Sequence, residues 1–163
     1  MMKDLENIKV VDQNVESVEE EEVEESEISK KFTVINPVKS SGTIKYTVTG
    51  VDEDGSFIEV RRFREFYALY LALQTRWPGC YIPSLPEKKM VGKDDEKFIE
   101  ERRILLERFM KDIAKHEYIQ KSSEFKVFTR SKGEVDKFLE KMQKQTPMEL
   151  LTKYRQSFKI DED

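Results

Sequence analysis

The chain lacks the residues of a disulfide-linked or metal-bound protein. Its 163 residues include one cysteine, Cys80, and one histidine, His116. One cysteine cannot form an internal disulfide, and a lone cysteine with a lone histidine does not supply the ligands of a structural zinc site. We therefore predict no metal and no cofactor. We expect Cys80 to pack as a small apolar residue and His116 to lie at the surface or near a helix end.

Long apolar runs and enzyme motifs are missing as well. No stretch approaches the ~20 apolar residues that a membrane-spanning helix needs, and the acidic N-terminus has no apolar segment typical of a signal peptide. A cytoplasmic or peripheral membrane location is the resulting expectation. The sequence has no glycine-rich phosphate loop, no nucleophile elbow and no carboxylate pair that stands out as general acid and base. These absences predict a protein that is not an enzyme.

The negative net charge of −4 is unevenly distributed along the chain. Residues 1–30 contain 3 basic and 11 acidic residues, whereas residues 31–163 contain 26 basic and 22 acidic residues, a net charge of +4. The acidity therefore belongs to a tail, and the remainder is mildly basic. Such a balance suits an anionic partner, but it is too weak to indicate nucleic-acid binding.

The tail is rich in glutamate between Glu16 and Glu27. Like charges repel, and too few apolar residues are present to offset the loss of chain entropy, so residues 1–29 are predicted to form a disordered acidic tail. We favour a solubilising role for this tail. The alternative is an autoinhibitory strip that competes with an anionic ligand for the basic part of the chain.

Period-two alternation predicts a small sheet at the start of the basic part. A β-branched stretch at 32–35 precedes Asn36-Pro37, apolar and polar residues alternate over 44–49, and a third strand follows over 57–62. The residues Asp52-Glu53-Asp54-Gly55 are typical of a hairpin turn. Three successive strands joined by short turns form an antiparallel meander.

Helical spacing replaces the alternation after the third strand. Apolar residues from Phe66 to Leu73 predict a helix ending near Trp77, and a long helix is predicted to begin at Asp94 or Asp95. Between them, Pro83 and Pro86 favour an extended left-handed segment. Further helices are predicted over 134–144 and 148–158. The fold class is therefore α+β, a three-stranded antiparallel meander packed against a helical subdomain with a proline-rich loop.

The most distinctive segment is Arg61-Arg62-Phe63-Arg64-Glu65-Phe66, where the third strand passes into the first helix. Alone, it is more typical of a solvated strand end with Phe66 in the core. The proline loop, however, is followed by Lys88 and Lys89, and Arg102-Arg103-x-Leu-Leu-Glu-x-Phe lies on the long helix. The order and spacing of these motifs from Ser29 to Phe128 resemble the PX (phox-homology) domain of sorting nexins, a phosphoinositide-binding module.

The resemblance implies a role for each site residue. Arg62 matches the residue that contacts the 3-phosphate of the inositol ring, and Phe63 matches the aromatic floor under that ring. Arg64 matches a supporting position, and Lys88 matches the contact to the 1-phosphate. Arg102 matches the arginine that meets the 4- and 5-hydroxyls, which would favour phosphatidylinositol 3-phosphate.

A basic and apolar loop tip follows the prolines. Lys89, Met90, Val91 and Lys93 would suit insertion into a membrane interface, where apolar burial and lysine charge both contribute. Equally, Met90 and Val91 could pack on the long helix. The sequence departs from the family at Ile82. The loop often begins with a pair of prolines, and here Ile82 takes the first of those two positions.

Three segments are therefore expected: the tail 1–29, a PX-like domain over 30–130, and a C-terminal helical extension over 131–163. The extension either packs back on the domain or connects it to a further one. The leading hypothesis is a module that binds phosphatidylinositol 3-phosphate on endosomal membranes, with possible protein partners of a sorting complex and no nucleic acid. The alternative is a PX-like scaffold that binds proteins, in which the segment Pro83–Pro86 docks an aromatic groove.

Overall fold

The computed structural model describes residues 31–88 and 95–160, and the sheet comes first. Strands β1 (Thr33–Ser40), β2 (Thr43–Asp52) and β3 (Gly55–Arg62) form one antiparallel sheet in the order β1-β2-β3. The predicted meander is confirmed. The acidic tail 1–29 and the loop tip Lys89, Met90, Val91 and Lys93 lie outside the described residues.

Strand β1 runs through Asn36-Pro37, which the sequence placed after the strand. The register between β1 and β2 shifts between Ile35 and Val38, and Asn36 has a φ of 51°. Proline cannot donate a ladder hydrogen bond, so it is tolerated in an edge strand where a bulge interrupts the ladder. Asparagine is one of the residues that adopts a positive φ with little strain. The bulge therefore accommodates Pro37 without ending the strand.

The predicted hairpin turn joins β2 to β3. Asp52 pairs with Gly55 across the turn, and the Asp54 backbone N–H donates to the Asp52 carboxylate at 2.9 Å. Gly55 has a φ of 106°, which is accessible to glycine and strained for other residues. At the opposite end of the β2–β3 pair, Lys45 lies across from Arg62, next to the start of the first helix.

Six helices follow the sheet within residues 63–88 and 95–160, and two of the longer ones have clear N-caps. Asp95 accepts a hydrogen bond from the Lys97 backbone N–H at 3.1 Å, which fixes the start of the long helix. Thr146 caps the last helix, whose first residue is Pro147. The helix predicted over 134–144 ends early, at Glu140, ahead of the extended Thr146 that precedes Pro147. The helices are α1 (Phe63–Arg76), α2 (Glu96–Ala114), α3 (Glu117–Gln120), α4 (Ser123–Arg130), α5 (Val135–Glu140) and α6 (Pro147–Phe158).

One hydrophobic core fills the space between the sheet and the helices. Phe66 is fully buried, as expected, and Cys80 packs half-buried against the core. Val135 and Leu139 of α5 belong to the same core, which therefore continues past residue 130. Among the described helices, none combines the length and the apolar character needed to cross a bilayer.

Helix α6 packs back on the domain along one edge. The Tyr154 ring stacks on Trp77 with centroids 5.8 Å apart, and its hydroxyl donates to the Pro78 carbonyl at 2.7 Å. The Lys153 ammonium lies over the Trp77 ring, 3.9 Å from its centroid. Leu151 stays exposed. His116 lies between α2 and α3, where it is the N-cap residue of α3.

Candidate functional site

Arg102 is held between two aromatic rings. Its guanidinium carbon lies 3.9 Å from the centroid of Phe63, the first residue of α1, and 4.5 Å from that of Phe98 on α2. Both distances are within the range of attractive cation–π contacts. Phe98 and Arg102 are four residues apart on one helix, so they share a face. The two contacts hold the guanidinium at the junction of α1 and α2.

Arg102 is also desolvated and incompletely hydrogen-bonded. The side chain is 8% exposed, and one Nη donates to the Glu87 carbonyl at 3.2 Å. Its Nε is buried and has no hydrogen-bond partner in the described part of the chain. Burial lowers the pKa of Arg102 from its ordinary value, and the nearby Tyr46 opposes this change. A buried donor without a partner is costly, so an oxygen supplied at this point would bind favourably.

Lys88, at the end of the proline loop, lies near the rings of Phe63 and Tyr67, which we call the ring platform. Its ammonium lies 5.6 Å from the Tyr67 ring centroid, and Tyr67 stacks on Phe63 at 6.3 Å with an interplanar angle of 24°. Residues 63 and 67 are one helical turn apart, which explains their stacking. The structure therefore brings together three of the predicted site residues, Phe63, Lys88 and Arg102.

Arg62 and Arg64 form a second group, centred on a carboxylate of α5. The Arg64 Nε lies 2.7 Å from Asp136 Oδ2, and an Arg62 Nη lies 3.7 Å from the same oxygen. Asp136 is fully buried, whereas the two arginine side chains are 59% and 34% exposed. Arg62 is next to Phe63 in the chain but turns its guanidinium toward Asp136. The aromatic group around Arg102 and the ion-pair group around Asp136 are therefore adjacent, but different contacts hold each of them.

The backbone of Arg62 is fixed by the start of α1. Its N–H donates to the Glu65 carboxylate at 2.9 Å, as in a capping box. Glu65 is 7% exposed, and burial raises its pKa despite the hydrogen bond from Arg62 and the charge of Arg61. This bond sets the direction in which the Arg62 side chain leaves the strand.

An open cavity of about 420 Å³ lies beside Arg62, under the β1–β2 hairpin. Its polar lining combines two cations and three hydroxyl groups with two carboxylates: Ser40, Ser41, Thr43, Lys45, Arg62, Glu65 and Glu134. Cations and hydroxyls are the groups that bind phosphate oxygens. The Arg62 side of the site is therefore open, and it offers cations and hydroxyl groups to a phosphate next to the carboxylates of Glu65 and Glu134.

Sequence reasoning missed three members of this arrangement. Lys45 was not among the predicted site residues, because its position opposite Arg62 depends on the β2–β3 register. Tyr67 carried a signal in its spacing from Phe63. Asp136 carried none, because it is remote in sequence from both of the arginines that it contacts.

The described residues thus form a three-stranded antiparallel meander followed by helices, with basic residues at the junction of β3, α1 and α2. A family model of the PX domain matches residues 52–132. The chain belongs to the PX domain family, and its relatives include sorting nexins and Vps5 proteins. PX domains are lipid-binding modules without catalytic activity.

The relatives support the sorting-nexin type. Vacuolar protein sorting-associated protein 5 of Saccharomyces cerevisiae is 36% identical over 117 residues, which cover 66% of this chain and 17% of that protein. Vacuolar protein sorting-associated protein vps5 of Schizosaccharomyces pombe is 43% identical over 68 residues, or 42% and 12% of the two chains. Sorting nexin 2B of Arabidopsis thaliana is 32% identical over 124 residues, or 64% and 22%. The chain thus spans less than a quarter of each of these relatives.

A solved structure agrees with the fold. The X-ray structure of a designed CISK-PX domain superposes with a TM-score of 0.56 and 25% sequence identity, covering 62% of this chain and 99% of that one. The α+β prediction is therefore confirmed by both the architecture and the comparison.

Proposed function

We propose that this chain binds phosphatidylinositol 3-phosphate and thereby attaches its protein to the cytoplasmic side of endosomal membranes during protein sorting. The observation that carries the proposal is the Arg102 guanidinium, fixed against the Phe63 ring with a buried Nε that lacks a partner. The names of the relatives, sorting nexins and vacuolar protein sorting proteins, favour the same role.

Each residue has a chemical task in this proposal. Arg62, at the open cavity, binds the 3-phosphate, since a guanidinium fork matches phosphate oxygens. Arg102 donates to the 4- and 5-hydroxyls, and the Phe63 ring supports the apolar face of the inositol. Lys88 meets the 1-phosphate, and Arg64 supports Arg62 through their shared contact with Asp136.

Binding requires Arg102 to move on the platform. Its guanidinium now covers the Phe63 ring face that the inositol would occupy. The contact with Phe98 allows Arg102 to leave Phe63 and remain stacked on one ring. A hydroxyl of the inositol then satisfies the buried Nε.

Two further segments belong to the proposal. Lys89, Met90, Val91 and Lys93 insert into the membrane interface beside Lys88, with the lysines contributing roughly 1 kcal/mol each near an anionic leaflet. Residues 131–163 act as a helical extension of the PX domain of residues 30–130. The tail 1–29 keeps the protein soluble while it is off the membrane.

The decisive test is co-sedimentation with vesicles that each carry one phosphoinositide in a phosphatidylcholine background. We expect the wild-type chain to bind most strongly to vesicles with phosphatidylinositol 3-phosphate. Arg62→Ala should abolish this binding with an unchanged circular dichroism spectrum. Arg108→Ala, which removes an exposed arginine of α2 outside the site, is the matched control and should bind as wild type. Equal binding by Arg62→Ala would refute the site.

A second function, a scaffold for protein partners, is favoured by a groove between the proline loop and α2. This groove has a volume of about 330 Å³ and is lined by Tyr81, Leu85, Pro86 and Leu105, with Arg108 at its side. Pro83 is itself buried, so the loop presents a groove to a partner rather than two free prolines. Equal, weak binding to every phosphoinositide, together with loss of a protein partner in Leu105→Glu, would favour this function.

A further inference from the structure

Asp136 is a buried carboxylate whose ion-pair contacts are with two residues of the proposed site. Its side chain is fully buried, and Oδ2 lies 2.7 Å from Arg64 Nε and 3.7 Å from an Arg62 Nη. Neither carboxylate oxygen accepts a hydrogen bond of good geometry within the described ranges. Burying a carboxylate is costly unless cations compensate for the lost hydration. The two arginines provide this compensation.

The carboxylate is fixed, whereas the arginines are accessible. Asp136 lies on α5 between Val135 and Leu139, which are both part of the core. Arg62 and Arg64 extend from the junction of β3 and α1 and remain partly exposed. A fixed negative charge therefore lies behind two cations that can still bind an anion on their open side. Asp136 is also outside residues 52–132, to which the PX family model extends.

This negative charge acts on any ligand that the arginines bind. A phosphate on the open side of Arg62 lies close enough to Asp136 to be repelled through a partly desolvated region. The repulsion grows in proportion to the charge of the ligand. Each phosphomonoester carries about −1.5 to −2 at neutral pH, so a second one on the inositol adds to the repulsion by an amount that falls with its distance from Asp136.

We propose that Asp136 is a specificity-determining residue, a fixed counter-charge that allows Arg62 and Arg64 to bind one phosphomonoester and penalises headgroups with two. The inference rests on the proposed phosphoinositide binding. It goes beyond the roles of Arg62 and Arg102 because it assigns discrimination by charge to a residue that does not touch the lipid.

Asp136→Asn separates the charge from the shape of the side chain. The amide has nearly the same volume as the carboxylate, so the packing of α5 is kept. Arg62 and Arg64 retain access to water, so the change leaves no buried charge without a partner. We therefore expect this variant to fold.

The test compares wild type with Asp136→Asn on vesicles that carry phosphatidylinositol 3-phosphate, 3,5-bisphosphate or 4,5-bisphosphate at equal mole fraction. We expect the variant to gain affinity for both bisphosphates by about three- to tenfold more than for the monophosphate. A structural role would instead reduce binding to all three lipids. Equal changes in affinity for all three lipids, or a general loss of binding with the fold intact, would overturn this inference. The proposed function would still stand.

Asp54→Asn provides a control with the same change in net charge. Asp54 lies in the β2–β3 turn, at the other end of the strand pair from Arg62, about 23 Å away at ~3.3 Å per residue. It should leave the ratio of bisphosphate to monophosphate binding unchanged. If the wild-type chain binds none of the phosphoinositides, the proposed function fails, and this inference fails with it.

Arg64→Gln keeps the test decisive if Asp136→Asn does not fold. It removes the closer of the two cations and leaves the Asp136 charge less compensated. The ratio of bisphosphate to monophosphate binding should then fall below that of wild type. A ratio that rises or stays the same would contradict the inference.

Discussion

The guanidinium of Arg102 and the ring of Phe63 are in direct contact, 3.9 Å from carbon to centroid, although they are separated by the whole of α1 and the proline loop. The contact joins the start of α1 to α2. The Arg102 guanidinium also occupies the ring face proposed to support the inositol. Whether Arg102 contacts Phe63 therefore indicates whether that face is free for a ligand.

The first prediction concerns the shape of Arg102 as distinct from its charge. Arg102→Lys keeps the positive charge but loses the planar group that stacks on Phe63 and Phe98 and donates from Nε. We expect about a tenfold loss of affinity for phosphatidylinositol 3-phosphate vesicles. Surface plasmon resonance on immobilised vesicles measures it. Arg108→Lys, the same change at an exposed position of α2, should have no effect, and equal affinities for all three chains would contradict the stacking role.

The second prediction concerns the aromatic floor. Phe63→Leu removes the flat face and the stacking with Tyr67, whereas Phe63→Tyr keeps both. We expect the leucine variant to bind the same vesicles at least about fivefold more weakly, and the tyrosine variant to bind like wild type. Isothermal titration with a soluble short-chain lipid separates this effect from membrane insertion. Comparable binding by the leucine variant would exclude Phe63 from the site.

The third prediction concerns the pH dependence contributed by Glu65. Burial raises the folded-state pKa of Glu65 above its ordinary value of 4.5. A carboxyl group with a raised pKa stabilises the fold fully below its unfolded pKa, and this contribution is lost as pH rises through the folded pKa. Glu65→Gln is neutral at every pH and can still accept from the Arg62 N–H. It should therefore gain stability over wild type at pH 7 and lose that gain near pH 4.

Urea unfolding at both pH values measures this difference. A gain that is the same at pH 4 and pH 7 would contradict the titration. Glu140→Gln, at an exposed position that ends α5, should show no comparable dependence.

The fourth prediction concerns Gly50, which lies in β2 against two core rings. A Cβ at this position would lie 2.5 Å from Cζ of Phe57 and 2.7 Å from Cδ1 of Phe32, closer than real contacts allow. Both rings are buried, so they cannot move away without disturbing the core. Gly50→Ala should lower the free energy of unfolding by about 1–3 kcal/mol. Ser56→Ala, on the exposed start of β3, should change it by less than about 0.5 kcal/mol.

The fold was largely predictable because its signals are local. Alternation over 44–49 and the turn residues 52–55 predicted the meander, and the helical spacing of apolar residues from Phe66 to Leu73 predicted α1. Two details were wrong: β1 continues through Pro37 at a bulge, and the helix after Glu134 ends at Glu140. Both depend on pairing and packing that a linear pattern does not contain.

The candidate site was predictable only in part, for the same physical reason. Phe63, Lys88 and Arg102 were proposed from motif order, and the fold brings these three residues close together. That Arg62 and Arg64 turn toward Asp136 depends on how α5 packs against α1. An ion pair between residues so far apart in the sequence produces no periodic pattern from which it could be predicted.

Trp77 gives the protein an internal spectroscopic probe. It is the one tryptophan in the sequence, and it lies beneath Lys153 and Tyr154 of α6. Its emission should therefore change when α6 separates from the domain and stay constant when only the headgroup site is altered. A variant that loses lipid binding with unchanged tryptophan fluorescence has a defective pocket, whereas a red shift assigns the same loss to the detachment of α6.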